Sequence, residues 1–150
     1  MDLSSFFSPF IVKIFWILVL LSLVIGKEIQ ENDDDIILKA SGIGGLAFKG
    51  TITTSVSTIY NNIKSQAGIN LSGGTEADYN TDGGNGRFIS KTGDGYVVSV
   101  YFHKNKKHYA SCDGGLFGGG NTRFYTDAGQ WAVAFCKSGL AGRKTNYGDS

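Results

Sequence analysis

Three regimes of hydrophobic patterning follow one another along the chain. The first is an almost unbroken apolar run from Pro9 to Gly26 that follows a polar start. The second is a helical stripe, in which Ile52, Val56, Ile59, Ile63 and Ala67 recur at spacings of three and four and predict a helix over 51–67. Gly68 followed by Ile69 predicts a Schellman-type stop, glycine taking the left-handed turn and Ile69 folding back. The third regime starts near Gly86, where the period becomes two. Strands are expected over 87–91, Tyr96–His103, 108–112, 123–126 and 130–136.

Alternation assigns faces within these strands. Tyr96, Val98, Val100 and Phe102 share one face of their strand, and Trp131, Val133 and Phe135 share one face of theirs. The first set is expected in the core under the helix. Asp94-Gly95 predicts a tight hairpin turn, and 127–129 a second one. Residues 70–85 read as a long polar loop with a short strand near 77–79, and the tail after Lys137 as basic and loose. The expected fold is α+β: one amphipathic helix packed on a small antiparallel β-sheet, closed by one disulfide.

Composition changes this picture in two places. The chain has 150 residues, which bounds it to one domain, and its 22 glycines against one proline make it turn on glycine. The apolar run reads as a signal peptide over 1–26, with Val24 and Gly26 at the −3 and −1 positions of a cleavage site; a signal anchor is the alternative. Secretion follows, and with it an oxidising compartment in which Cys112 and Cys136 form one bridge worth about 3 kcal/mol. Neither cysteine has partners at zinc-site spacing, so no metal and no cofactor is expected.

The formal charge of +1 conceals an uneven distribution. Residues 27–39 hold five acids and two lysines, a net of −3, whereas 40–150 hold eleven Lys/Arg and seven Asp/Glu, a net of +4. The acidic stretch reads as a neutralising pro-segment or as a solvated tail. Residues 40–150 then form the single domain. Its first part, 40–50, reads either as a membrane-inserting terminus or as an edge strand tucking Ile43, Leu46 and Phe48 into the core.

Candidate chemistry is sparse. Lys104, Lys106 and Lys107 crowd one turn, and the glycine-rich loop 113–121 lifts Leu116 and Phe117, either toward a partner or over a satellite core. Asn70-Leu71-Ser72 is a glycosylation sequon. Asp78, Asp82 and Asn85 lack the spacing and closing glutamate of a calcium loop. A small secreted ribonuclease-like hydrolase would need a carboxylate, a histidine and an arginine, for which Glu76, His103 or His108, and Arg87 are the available types. Both histidines flank the lysine turn and are expected to be solvated, and no nucleophile elbow is present. No catalytic residues are assigned.

The helical segment 51–67 and the stretch 125–136, above all Ala128-Gly129-Gln130-Trp131-Ala132-Val133, resemble small secreted yeast killer toxins of the zygocin type. That resemblance implies membrane disruption of competing fungal cells; the chain lacks the Lys-Arg processing site of such toxins. The expected function is a secreted cationic toxin or antimicrobial protein. It would act on an anionic membrane or cell-wall surface, with Lys104, Lys106 and Lys107 attracting and Leu116 and Phe117 inserting. The alternative is a carbohydrate- or host-target-binding module that stacks Tyr101, Tyr109, Tyr125 or Trp131 on sugars. No nucleic-acid partner is expected.

Overall fold

A computed structural model describes residues 42–150. The signal, anchor and acidic-segment readings lie outside the described residues. Elements follow in the order β1 (Ile43–Lys49), α1 (Val56–Ala67), β2 (Ala77–Thr81), a 3-10 turn (Asp82–Gly84), β3 (Gly86–Gly93), β4 (Tyr96–His103), β5 (His108–Asp113), β6 (Asn121–Thr126), β7 (Gln130–Lys137) and β8 (Lys144–Asp149). They form two antiparallel sheets, a five-stranded one ordered β1-β7-β4-β3-β2 and a three-stranded one ordered β6-β5-β8. The single small sheet expected from the sequence is therefore two.

The alternation of β4 and β7 explains the layering. Val98, Val100, Phe102, Trp131, Val133 and Phe135 meet α1 through Ile59, Tyr60 and Ile63 on one face. The opposite set, with Val97, Tyr101, Ala132, Ala134 and Cys136, meets Ala110 and Cys112 of the second sheet. With helix on one side and sheet on the other, β4 and β7 are buried along nearly their whole length. Small side chains on the second face, alanines above all, let the two sheets approach. Cys112 on β5 and Cys136 on β7 join across that interface with their Cα atoms 5.9 Å apart, so the expected bridge staples the two sheets.

Three local expectations are corrected. The helix starts at Val56 rather than 51, because Ser55 caps it by accepting from the Thr58 N–H at 3.2 Å. The threonines before it close a turn instead, Thr51 N–H donating to Thr54 Oγ1 at 2.9 Å. The helix ends at Gly68, φ 69°, whose N–H donates to Lys64 O at 2.9 Å, a 5→1 αL stop in place of the Schellman form, with Ile69 buried beyond it. The short strand expected near 77–79 is β2, five residues long and at the edge of the first sheet. The third correction is the tail: Lys144–Asp149 is not loose but pairs along the whole of β5. Segment 43–49 takes the edge-strand reading, pairing with β7 and burying Leu46 and Phe48.

Candidate functional site

The lysine turn and the glycine-rich loop, which carry the candidate binding residues, fall at opposite ends of β5. At its start, β4 turns into β5 through Lys104, Lys106 and Lys107, all exposed. At its end, Asp113 leads into the glycine-rich loop with Leu116 and Phe117. Five residue steps of extended chain separate these ends by about 17 Å. The lysine turn and the apolar loop are thus two places, not one surface.

The apolar end is built from two interlocked loops, the one between β5 and β6 and the one between β7 and β8. Leu116 N–H donates to Ala141 O and Leu140 N–H to Leu116 O, both at 2.8 Å. Gly139 N–H donates to Gly114 O at 2.7 Å, and Gly119 N–H to Lys137 O at 2.9 Å. A Cβ at Gly114 or Gly139 would run into backbone of the facing loop, which is why glycine stands there. This framework holds three apolar side chains out in water: Phe117 is 81% exposed, Leu140 76% and Leu116 58%. Phe117 also has φ 60°, a left-handed conformation that an aromatic residue adopts at a cost of about 1 kcal/mol or more. Lys137, Arg143 and Lys144 belong to the same two loops and strand ends and are all exposed. Leu116 and Phe117, for which the sequence leaves open a partner contact or a satellite core, are both exposed. Leu140 was missed, although an isolated leucine between Gly139 and Ala141 in a polar tail was the available signal.

The lysine turn is anchored from below by histidines that are fully buried, not solvated as expected. His103 Nδ1 accepts from Asn105 N–H at 3.0 Å and Lys106 N–H at 3.1 Å. Its other nitrogen therefore carries the proton and donates to Asp82 Oδ2 at 2.7 Å. The Lys106 ammonium lies 3.4 Å from Asp82 and 3.5 Å from Asp149. The His103 bond first, and Lys106 next, hold the Asp82 carboxyl below the usual carboxylate range, while Asp82 raises Lys106. His108 directs Nδ1 at Lys106 O and Nε2 at Gln130 O, each at 2.8 Å. Both histidines thus fasten the turn's backbone.

Asp82, His103 and Asp149 bring ligand-type atoms within 4.8 Å of one another. The donor set does not fit a divalent ion. His103 presents a proton where a metal would need a lone pair, and an ammonium already lies against both carboxylates. Of the groups weighed for calcium, both carboxylates are engaged by other partners. Asp78 takes a two-bond ion pair from Arg87, 2.9 Å on each side, and Asp82 takes His103.

The groups a hydrolase would need are likewise not brought together. Arg87 spends its remaining donors on Ile52 O and Thr54 O, at 3.1 and 2.7 Å, on the helix face of the first sheet. Glu76 accepts from the Thr92 N–H and hydroxyl at 3.2 Å. His103 lies on the opposite face, buried. Of the tyrosines and tryptophan considered for sugar stacking, Tyr101 and Trp131 are core residues, whereas Tyr109 and Tyr125 stand on the outer face of the second sheet. Asn70 of the sequon is exposed.

Residues 82–147 match the family described as Bacteriocin (Lactococcin_972). The match covers less than half of the chain, but that part contains the lysine turn, both histidines, the cystine, the apolar loops and most of the second sheet. No curated protein and no solved structure matches the chain. The match supports a bacteriocin-like small toxin and gives no support to yeast killer toxins in particular; of the two segments carrying that resemblance, the helical one lies outside the matched residues. A toxin or antimicrobial function is supported at this coarse level.

Proposed function

We propose that the protein is a secreted bacteriocin-like toxin that docks on the membrane surface of target cells through the Leu116–Phe117–Leu140 tip. The observation that carries this reading is Phe117: 81% exposed and held at φ 60° by a hydrogen-bonded loop. Strain and exposure of a large aromatic both cost stability, and no described residue covers the ring. A partner does. Burying Phe117 and two leucines in an acyl-chain boundary is worth roughly 2 kcal/mol each. Lys137, Arg143 and Lys144 near an anionic surface add roughly 1 kcal/mol each. The sum offsets the cost of association and supports reversible, peripheral attachment.

This reading replaces the attracting role given to Lys104, Lys106 and Lys107. Those lysines are at the other end of β5, and Lys106 is engaged with Asp82 and Asp149. Co-sedimentation with vesicles tests the reading. The protein is expected to bind vesicles rich in phosphatidylglycerol, to bind neutral vesicles more weakly, and to lose affinity as salt rises. The double variant Phe117→Ser, Leu140→Ser is expected to lose at least tenfold in affinity while keeping its fold. Unchanged binding by that variant would remove the tip from the account.

A further inference from the structure

The outer face of the second sheet is built differently from the rest of the surface. Strand register stacks three tiers across β6, β5 and β8: Asn121–Asp113–Lys144, Arg123–Ser111–Asn146, and Tyr125–Tyr109–Gly148. Neighbouring strands lie about 4.8 Å apart and successive tiers about 7 Å. The middle of this grid is Ser111, the shortest outward-facing side chain of the central strand, with longer side chains around it except at Gly148. A short centre and long rim make a depression, and a cavity of about 370 Å³ lies there, lined by Ser111, Asp113, Asn121, Arg123, Lys144 and Asn146. That volume is within the range of small-molecule sites.

Its charged groups are pre-arranged. The Arg123 guanidinium lies 4.2 Å from the centroid of the Tyr109 ring and donates from Nη1 to the Tyr125 hydroxyl at 3.3 Å. Tyr109 in turn rests over Gly148, where a side chain would collide with it. Among the described residues no carboxylate pairs with Arg123 or Lys144. Asp113, the one acid lining the cavity, accepts the Gly115 N–H at 2.9 Å and so serves its own loop. Two cations without a carboxylate partner, two carboxamides and a hydroxyl therefore line one polar depression, with Tyr125 and Tyr109 in the tier beside it.

We infer that this depression binds an acidic saccharide, a sugar ring bearing a carboxylate. Arg123 with Lys144 takes the carboxylate, the guanidinium fork matching its two oxygens. Asn121 and Ser111 have donors and acceptors for ring hydroxyls, Asn146 keeps its amide donors while its Oδ1 accepts the Tyr147 N–H at 2.8 Å, and Tyr125, 45% exposed, offers a face to the apolar side of the sugar. Nucleic acid fits less well, since a single exposed ring gives no run of stacking platforms and Asp113 stands among the phosphate-side groups. The inference does not depend on the tip.

Titration followed by amide NMR on the intact protein tests it, with a glucuronic-acid-containing disaccharide as the probe. The expected result is saturable shifts confined to β5, β6 and β8. Affinity for the methyl ester of the same disaccharide is expected to be at least tenfold lower. Arg123→Gln and Asn146→Ala, both at exposed positions, are each expected to weaken binding several-fold. The Phe117→Ser, Leu140→Ser protein is expected to bind the saccharide normally, which separates failure here from failure of the tip. Equal binding of acetate would reduce the site to a bare cation pair and overturn the inference. So would equal binding of the ester, tighter binding of a short oligonucleotide, shifts elsewhere on the molecule, or no shifts at all.

Discussion

At the scale of single residues, Asp82 shows how a surface carboxylate serves a buried histidine. Its bond from His103 Nε2 leaves Nδ1 free to accept two turn amides, so one proton position organises the lysine turn. The sign of the pH effect follows from the depressed folded-state value. Stability from Asp82 is fully present above the ordinary aspartate range and is lost as pH falls through the lowered folded-state value. Asp82→Asn is therefore expected to lower the denaturant midpoint at neutral pH and to have little effect at pH values where Asp82 is already protonated. Equal destabilisation at both pH values would contradict this. The sequence placed the histidines beside lysines and in that sense at the surface. Their burial was not legible, because it depends on β8 and the 3-10 turn closing over them from distant parts of the chain.

At the scale of elements, β8 is the strand that sequence patterning misses. Lys-Thr-Asn-Tyr-Gly-Asp has one large inward residue, Tyr147, and its outward positions face water. That single ring does much of the packing, with its centroid 4.5 Å from Tyr101 and 4.6 Å from Phe88. The strand also meets polar groups of the first sheet: Ser99 Oγ donates to Asn146 O at 2.8 Å, and the Ser90 and Thr145 hydroxyls pair at 2.9 Å. Tyr147→Ala is expected to cost about 3 kcal/mol in chemical denaturation, comparable with truncating a core aromatic. A loss below about 0.5 kcal/mol would mean that β8 is an ornament rather than a layer. By contrast, β4 was legible to the residue and β7 to within one residue, Lys137, because strong period-two alternation of large apolar side chains assigns both faces. The helix was legible in its stripe and in the position of its stop at Gly68, but not in its start, where Thr51 to Thr54 close a turn.

At the scale of the molecule, the described residues form three layers, helix, five-stranded sheet and three-stranded sheet, with one covalent tie across the second interface. Replacing both cysteines by serine is expected to cost about 3 kcal/mol, the loss falling on the attachment of the second sheet. Hydrogen exchange should then rise first in β5, β6 and β8, and a uniform rise over all strands would contradict that assignment. The cystine pairing itself was legible from two cysteines in a chain that reads as secreted. Which layers it joins was not, since the second sheet was invisible. The site was half legible: Leu116 and Phe117 stood out on glycine, whereas Leu140 and the cationic rim reach them only through the fold.

The central claim is that Phe117 enters a target membrane. The direct measurement is the fluorescence of a Phe117→Trp protein mixed with anionic vesicles, against its parent, both carrying Trp16→Phe so that the buried Trp131 is the parent's one indole. The account predicts a blue shift and quenching by lipid-borne bromine in the variant, absent from the parent. Emission from the introduced indole that stays water-like while the protein still kills its target cells would contradict it.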